Sequence, residues 1–481
     1  MSIGKNILRL TAGSSVAQVV QLLSLPLLTR LYLPEAFGIY TLFLGLIAVA
    51  SVFSSLKYDT AVVLPPRDAM AESLCGIVAV LSVATFGVAL FAVALMLIAL
   101  PADGERLLWI VFGVGAAVSL LIGGAQQIIL AWLNRVRRYG LMGLYRLMFV
   151  LATVGCQVAL VQFGYGGAEA LIAGYVIGVG FVVVCFSVPT YDLWPRIVRI
   201  VGRPRYLKLA ACRYSRFPRF MIPYGLSSTL RERLVHFFIG TLCGVADLGR
   251  FAMAARLVSA PNNFLYMGIS PVMYAHAAQE ARERVAQDGA DLVELAVMLL
   301  AMPFVFLIVE APAFIDILMG DEWHGLGVFV SILSVPYLIL ACTSWLDRLF
   351  DAYQIQRLAL RLDVGFTIGL VVLTAAAAAI GDALLAAVVF AIVFSLYEAF
   401  WTWITYRASG FALAVLRRPL AIAGAVGGGS AALFVSLGAL DSLATRCAIG
   451  LAAYLALVGT YLAVAGGILK LRGIFARPLR E

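Results

Sequence analysis

The chain has 481 residues, 63% of them hydrophobic and 13% charged, with a formal net charge of +9. A soluble chain carries about 25% charged residues, and no soluble core has room for so much apolar surface. Composition therefore excludes a soluble globular protein and points to a polytopic membrane protein. Apolar runs of about 20 residues recur along the whole chain, each long enough to cross roughly 30 Å of hydrocarbon. They are continuous rather than alternating, which predicts helices and not barrel strands.

Fourteen helices are predicted. The first, 11–31, follows Lys5 and Arg9. It resembles a signal sequence but has no small-residue cleavage site, so it reads as a retained helix. Gln18, Gln21 and Ser24 form a polar stripe on it, and Arg30 stands near its outer end. The next spans are 37–57, 73–100, 107–132, 141–161 and 168–189. Lys57 and Asp59 flank the inner end of the second, and Gln126 and Gln127 lie in the fourth. The longest polar segment follows, "TYDLWPRIVRIVGRPRYLKLAACRYSRFPR" over 190–219, with eight basic residues. Beyond it come 219–243, 250–275, 291–310, 326–346, 359–380, 383–405, 414–437 and 444–467. The seventh span contains "TLRERLVHF" and the eighth contains Arg256. Asp363 and Glu398 sit near the inner ends of the eleventh and twelfth. The longest outer loop is expected over 311–325, around "MGDEWHG".

The connections alternate in charge. One set holds 27 Lys and Arg, the other only Arg30, Arg106, Arg250 and Arg446. The positive-inside rule then puts both termini in the cytoplasm. The basic segment divides the first twelve helices six and six. The expected domains are an N-lobe (1–189), a basic cytoplasmic linker (190–218), a C-lobe (219–406), and two further helices with a cytoplasmic tail (407–481). A weak repeat supports the halves: at a shift of 211 residues Leu31 falls on Leu242, Gly38 on Gly249 and Tyr40 on Phe251. A glycine there lets the chain turn tightly, and the ring after it can anchor at the interface. Two such halves suggest a transporter that rocks one half against the other.

Seven scattered cysteines make no CxxC pair, three histidines lie far apart, and no Walker loop is present. No metal, cofactor or catalytic residue is expected, nor ATP hydrolysis.

Four stretches, "SLPLLTRLYLPEAFGIYTLF" (24–43), "SLKYDTAVVLP" (55–65), "QQIILAWLNRVRRY" (126–139) and "GDEWHGLGVFVSIL" (320–333), give the chain a family likeness. It resembles the Wzx-type oligosaccharide flippases of the multidrug/oligosaccharidyl-lipid/polysaccharide exporter superfamily. The resemblance implies an alternating-access protein of the bacterial cytoplasmic (inner) membrane. Its substrate would be a polyprenyl-diphosphate-linked oligosaccharide repeat for O-antigen, capsule or exopolysaccharide, and a polymerase with chain-length machinery would be its partner. Where many relatives carry an Asp-Arg type pair in the seventh helix, this chain reads "RERLVH".

Charges at mid-membrane are costly and normally face a cavity or one another. Arg231, Glu232, Arg233 and His236, joined by Arg256, are either a cationic cavity for the diphosphate or a self-neutralising structural group. Glu232, Arg233 and His236 are spaced to share a face. Gln18, Gln21, Ser24 and Gln126 either contact sugar hydroxyls or join neighbouring helices. Asp363 and Glu398 are either ion or proton carriers or interface-solvated acids. The basic linker either rests on anionic lipids or also handles a phosphate-bearing lipid. An organic-cation exporter of the same superfamily and a membrane polysaccharide polymerase are the alternatives. The first predicts an acidic cavity and the second a long catalytic outer loop.

Overall fold

In hydrocarbon a backbone must hydrogen-bond to itself, and this chain does so by forming helices. The computed structural model describes residues 3–99, 106–353, 355–440 and 442–464. The basic tail expected from Lys470 to Arg480 lies outside the described residues. Among the described residues there is no strand. The helices are α1 (Ile3–Leu31), α2 (Pro34–Ser55), α3 (Tyr58–Ala61), α4 (Asp68–Ala99), α5 (Arg106–Arg135), α6 (Tyr139–Gln162), α7 (Ala168–Ser187), α8 (Leu193–Val201) and α9 (Pro204–Arg213). They continue with α10 (Arg216–Leu242), α11 (Val245–Gln279), α12 (Arg282–Met319), α13 (Leu326–Thr343), α14 (Arg348–Ala352), α15 (Gln356–Ala379), α16 (Ala383–Ala408), α17 (Arg417–Leu437) and α18 (Leu443–Val464).

Each expected span coincides with one long helix. Among the described residues 11 helices can cross a membrane by length and composition, and α1 adds a shorter apolar stretch, Ser15–Leu31. Helices α10 and α11 are outside that set; in α10 the reason is the charged run Arg231–Glu232–Arg233. Two expectations are revised. Helix α12 continues to Met319, so the expected outer loop shrinks to residues 320–325, with Trp323 fully buried. The basic segment is largely helical, forming α8 and α9.

Contacts divide the chain into Met1–Ala252 and Met253–Glu481. Helix α10 packs on α2 and groups with the first unit. Small residues bring helices close within this unit. Gly174 and Gly178 of α7 lie against the backbone of Gln157 and Thr153 in α6, and Tyr32 Oη donates to the Gln157 carbonyl at 2.7 Å. Arg135 at the end of α5 holds the turn before α4, with Nη2 2.8 Å from Asp68 Oδ1 and Nη1 2.9 Å from the Val62 carbonyl.

The first turns of α2 and α11 meet backbone to backbone. Gly38 lies on the carbonyl of Val245, and Gly249 lies on the carbonyl of Pro34. A Cβ on either glycine would strike that oxygen. Each struck carbonyl belongs to the residue four before the opposite glycine, so the approach is reciprocal. These are the positions that the 211-residue shift relates in the sequence.

In the second unit α12 packs against α13, α17 and α18. Two buried acids of α12 tie it to the C-terminal helices. Glu294 accepts from Arg418 at 3.0 Å and from Tyr461 Oη at 2.9 Å. Glu310 accepts from Arg446 Nη1 at 2.9 Å. The acids are 16 residues apart, about 24 Å along the helix, so α18 is held at both places, by Tyr461 and by Arg446, and α17 at the first, by Arg418.

Candidate functional site

Arg231, Glu232, Arg233 and His236 belong to the first unit, on the half of α10 that runs toward Leu242. The buried side of this helix, Val235 and Ile239, sets its rotation. Arg233 and His236, three residues apart, turn inward with it. The Arg233 side chain, 25% exposed, crosses Gly45 of α2; an added Cβ there would lie 3.3 Å from its Cδ. Gly45 thus leaves a channel for the arginine stem. Nη1 of Arg233 is 3.7 Å from Glu232 Oε1, and its Nε is buried without a hydrogen-bond partner. Glu232 itself is 60% exposed, so it leans away and offsets the guanidinium weakly. His236 is buried edge-on to Phe251, with the ring centroids 5.9 Å apart, and its Nδ1 has no hydrogen-bond partner. Arg231 is half-buried.

A guanidinium with donors to spare in a low-dielectric place is chemically suited to a phosphoryl oxygen, which accepts from its planar fork. Arg233 has this character. His236 is buried beside Phe251.

The polar stripe of α1 is partly occupied with its own helix: Ser24 is buried and donates to the Gln21 carbonyl at 2.6 Å. Gln18, Gln21 and Gln126 are half-buried. In the second unit Arg256 is half-buried on α11. Asp363 of α15 and Glu398 of α16 are both buried, and Tyr397 Oη donates to Asp363 Oδ1 at 3.0 Å. Burial at this level sets these acids apart from ordinary interface carboxylates.

The sequence reading missed three groups. Glu294 and Glu310 fall within the expected span 291–310 and were given no role, although two acids within "LVELAVMLLAMPFVFLIVEAP" were a visible signal. Arg348, counted only as a loop cation, donates to Ser270 Oγ at 2.7 Å and to Tyr266 Oη. Tyr266 in turn donates to Asp347 Oδ2 at 3.2 Å. This network binds the middle of α11 to the 3-10 turn that ends α13.

Residues 27–328 match the sequence pattern of the polysaccharide biosynthesis protein family. The chain belongs to that family. No curated protein matches it by sequence. Its fold is similar to that of the lipid II flippase MurJ in an inward closed conformation, with a TM-score of 0.68, 12% identity, and 94% of this chain and 98% of that chain covered. An inward-facing multidrug resistance MATE family transporter of the MOP superfamily aligns at 0.55 with 16% identity, covering 85% and 95%. A MOP superfamily transporter from Pyrococcus furiosus, with a binding pocket of reversed polarity, aligns at 0.51 with 14% identity, covering 84% and 96%. At these identities the likeness is one of fold: all-α, polytopic, MurJ- and MATE-like.

Proposed function

We propose that this member of the polysaccharide biosynthesis family is a flippase. It would carry polyprenyl-diphosphate-linked oligosaccharide repeats across the bacterial cytoplasmic membrane by alternating access, for O-antigen, capsule or exopolysaccharide assembly. It would act as a carrier and not as an enzyme. The observation that carries the reading is Arg233, a guanidinium with a bare buried donor inside an apolar bundle. A diphosphate is the part of such a substrate that must be stripped of water to cross, and it requires donors of this kind. Arg231 and Arg256 would supply further positive charge, Glu232 would offset part of it, and His236 would line the site. Gln18, Gln21, Ser24 and Gln126 would meet sugar hydroxyls. Asp363 and Glu398 would be the coupling acids, since a buried carboxylate changes charge at the greatest energetic consequence. Both termini and the linker would be cytoplasmic. Anionic lipids at the linker, and a polymerase with its chain-length machinery, would be the partners.

Deletion of the gene should cause a lipid-linked glycan to accumulate on the inner leaflet, and the wild-type chain should clear it. Complementation with Arg231→Ala plus Arg233→Ala should leave the glycan inside while the protein remains in the membrane. Full clearance by that double variant would overturn the cationic-site reading. Organic-cation export is the competing reading, favoured by the buried Asp363 and Glu398. It predicts drug sensitivity on deletion and no accumulated glycan.

A further inference from the structure

The linker helices α8 and α9 have two sides with different chemistry. Their inner side is packed: Leu193, Ile197 and Ala210 are buried in one cluster with Leu74 and Val78 of α4. An ion pair from Arg196 Nη1 to Glu72 Oε1 at 3.2 Å and a hydrogen bond from Tyr58 Oη to the Ala211 carbonyl at 3.4 Å fix that side. The linker is therefore a pair of seated helices and not a loose tether. It is seated on the early turns of α4, beside Glu72, Leu74 and Val78.

The outer side has no cover. Arg205, Leu209 and Arg213 follow at i, i+4 and i+8 and so form one stripe along α9, with Lys208 beside it. All four are exposed, Leu209 at 57%. Tyr206 on α9 and Val198 and Arg199 on α8 are exposed as well. Among the described residues Arg203, Arg205, Lys208, Arg213 and Arg216 have no carboxylate in ion-pair reach. From residue 193 to residue 231 the chain contains no Asp or Glu.

Positive charge interleaved with exposed Tyr, Leu and Val suits one environment best. Bases alone fit any polyanion in water, but exposed apolar groups there are a liability. At a bilayer surface the bases meet lipid phosphates and the apolar groups enter the acyl boundary. We infer that the outer face of α8 and α9 docks on anionic phospholipid, with Arg205, Lys208 and Arg213 holding headgroup phosphates and Tyr206 and Leu209 inserted between them. This rests on the linker's cytoplasmic placement and lipid contact proposed above and names the residues that make it, whatever cargo the protein carries.

The test is native mass spectrometry of the purified full-length protein, titrated with phosphatidylglycerol or with phosphatidylcholine of the same acyl chains. Wild type should retain phosphatidylglycerol preferentially, and added salt should erode the preference. Arg205→Glu plus Lys208→Glu removes two attractions and adds two repulsions, so affinity for phosphatidylglycerol should fall at least tenfold. Tyr206→Gln plus Leu209→Gln should weaken binding of both lipids. Arg106→Glu, at the opposite end of the first unit's α5, should change neither. An unchanged thermal unfolding midpoint keeps each variant interpretable, and Arg205→Gln plus Lys208→Gln serves where the reversals disturb folding. Equal retention of the two lipids by wild type, or undiminished phosphatidylglycerol binding by the charge variants, overturns the inference.

Discussion

The reciprocal glycines at the start of α2 and α11 give a prediction whose sign is set by geometry. An alanine Cβ at position 38 would strike the Val245 carbonyl oxygen and lie 2.7 Å from its carbon and 3.2 Å from its Cα. Ordinary contact begins near 3.4 Å. The obstacle is backbone, so no rotamer change relieves it, and the two helices must part by on the order of 1 Å. Overpacking of this kind costs about 1–3 kcal/mol, and the gain in helix propensity returns at most about 1 kcal/mol. Gly38→Ala should therefore be destabilising by about 1–2 kcal/mol. Gly155 of α6 has no heavy atom within 4 Å of its hypothetical Cβ, so Gly155→Ala keeps only the propensity gain and should be neutral or stabilising. Gly249→Ala should behave like Gly38→Ala. Because one separation relieves both contacts, the double variant should cost less than the sum of the singles. The assay is thermal unfolding of the purified protein in detergent. A Gly38→Ala midpoint equal to or above that of Gly155→Ala, or strictly additive losses in the double variant, would refute the reciprocal contact.

The two acids of α12 should differ in cost. Arg446 is only 20% exposed beside Glu310, so Glu310→Gln strands a shielded cation and should cost about 3 kcal/mol. The Arg418 side chain is 60% exposed beside Glu294, where solvent and headgroups compensate it, so Glu294→Gln should cost about 1 kcal/mol. Unfolding midpoints test the order, and its reversal would contradict the burial argument. Asp363→Asn keeps an oxygen for the Tyr397 hydroxyl and should leave the midpoint unchanged; if the acid couples transport, glycan clearance should fall nonetheless. Gly45→Ala asks only the flexible Arg233 side chain to shift and should be tolerated. Gly45→Leu should displace that side chain and reproduce the export phenotype of Arg233→Ala, with normal protein levels in the membrane.

Much of the fold was legible before any coordinates. Hydropathy is a sum along the chain, and a membrane imposes one length scale on every crossing, so the long helices fall where apolar runs fall. The repeat at 211 residues marked Gly38 and Gly249, expected as tight-turn glycines; the structure puts both inside helices, where each meets the other helix's backbone. The linker's charge was equally plain. Helix ends were less legible: α12 begins at Arg282 and runs past Pro312 to Met319, beyond the apolar run 291–310 at both ends.

What no reading of the chain supplied is partnership. Glu294 finds Arg418 and Tyr461, residues more than a hundred positions away, and Arg348 finds Tyr266. Each such pair depends on the rotation of two helices about their axes, which is decided by packing of faces and not by sequence spacing. The same cause separates the charged residues of "TLRERLVHF". Local order places all four on one helix, and the seating of α10 on α2 then buries His236, leaves Glu232 outside, and lays Arg233 over the gap at Gly45. Sequence determined that costly charges enter the bundle; tertiary structure decided which one keeps donors free, because only the packed neighbour determines where a side chain can go.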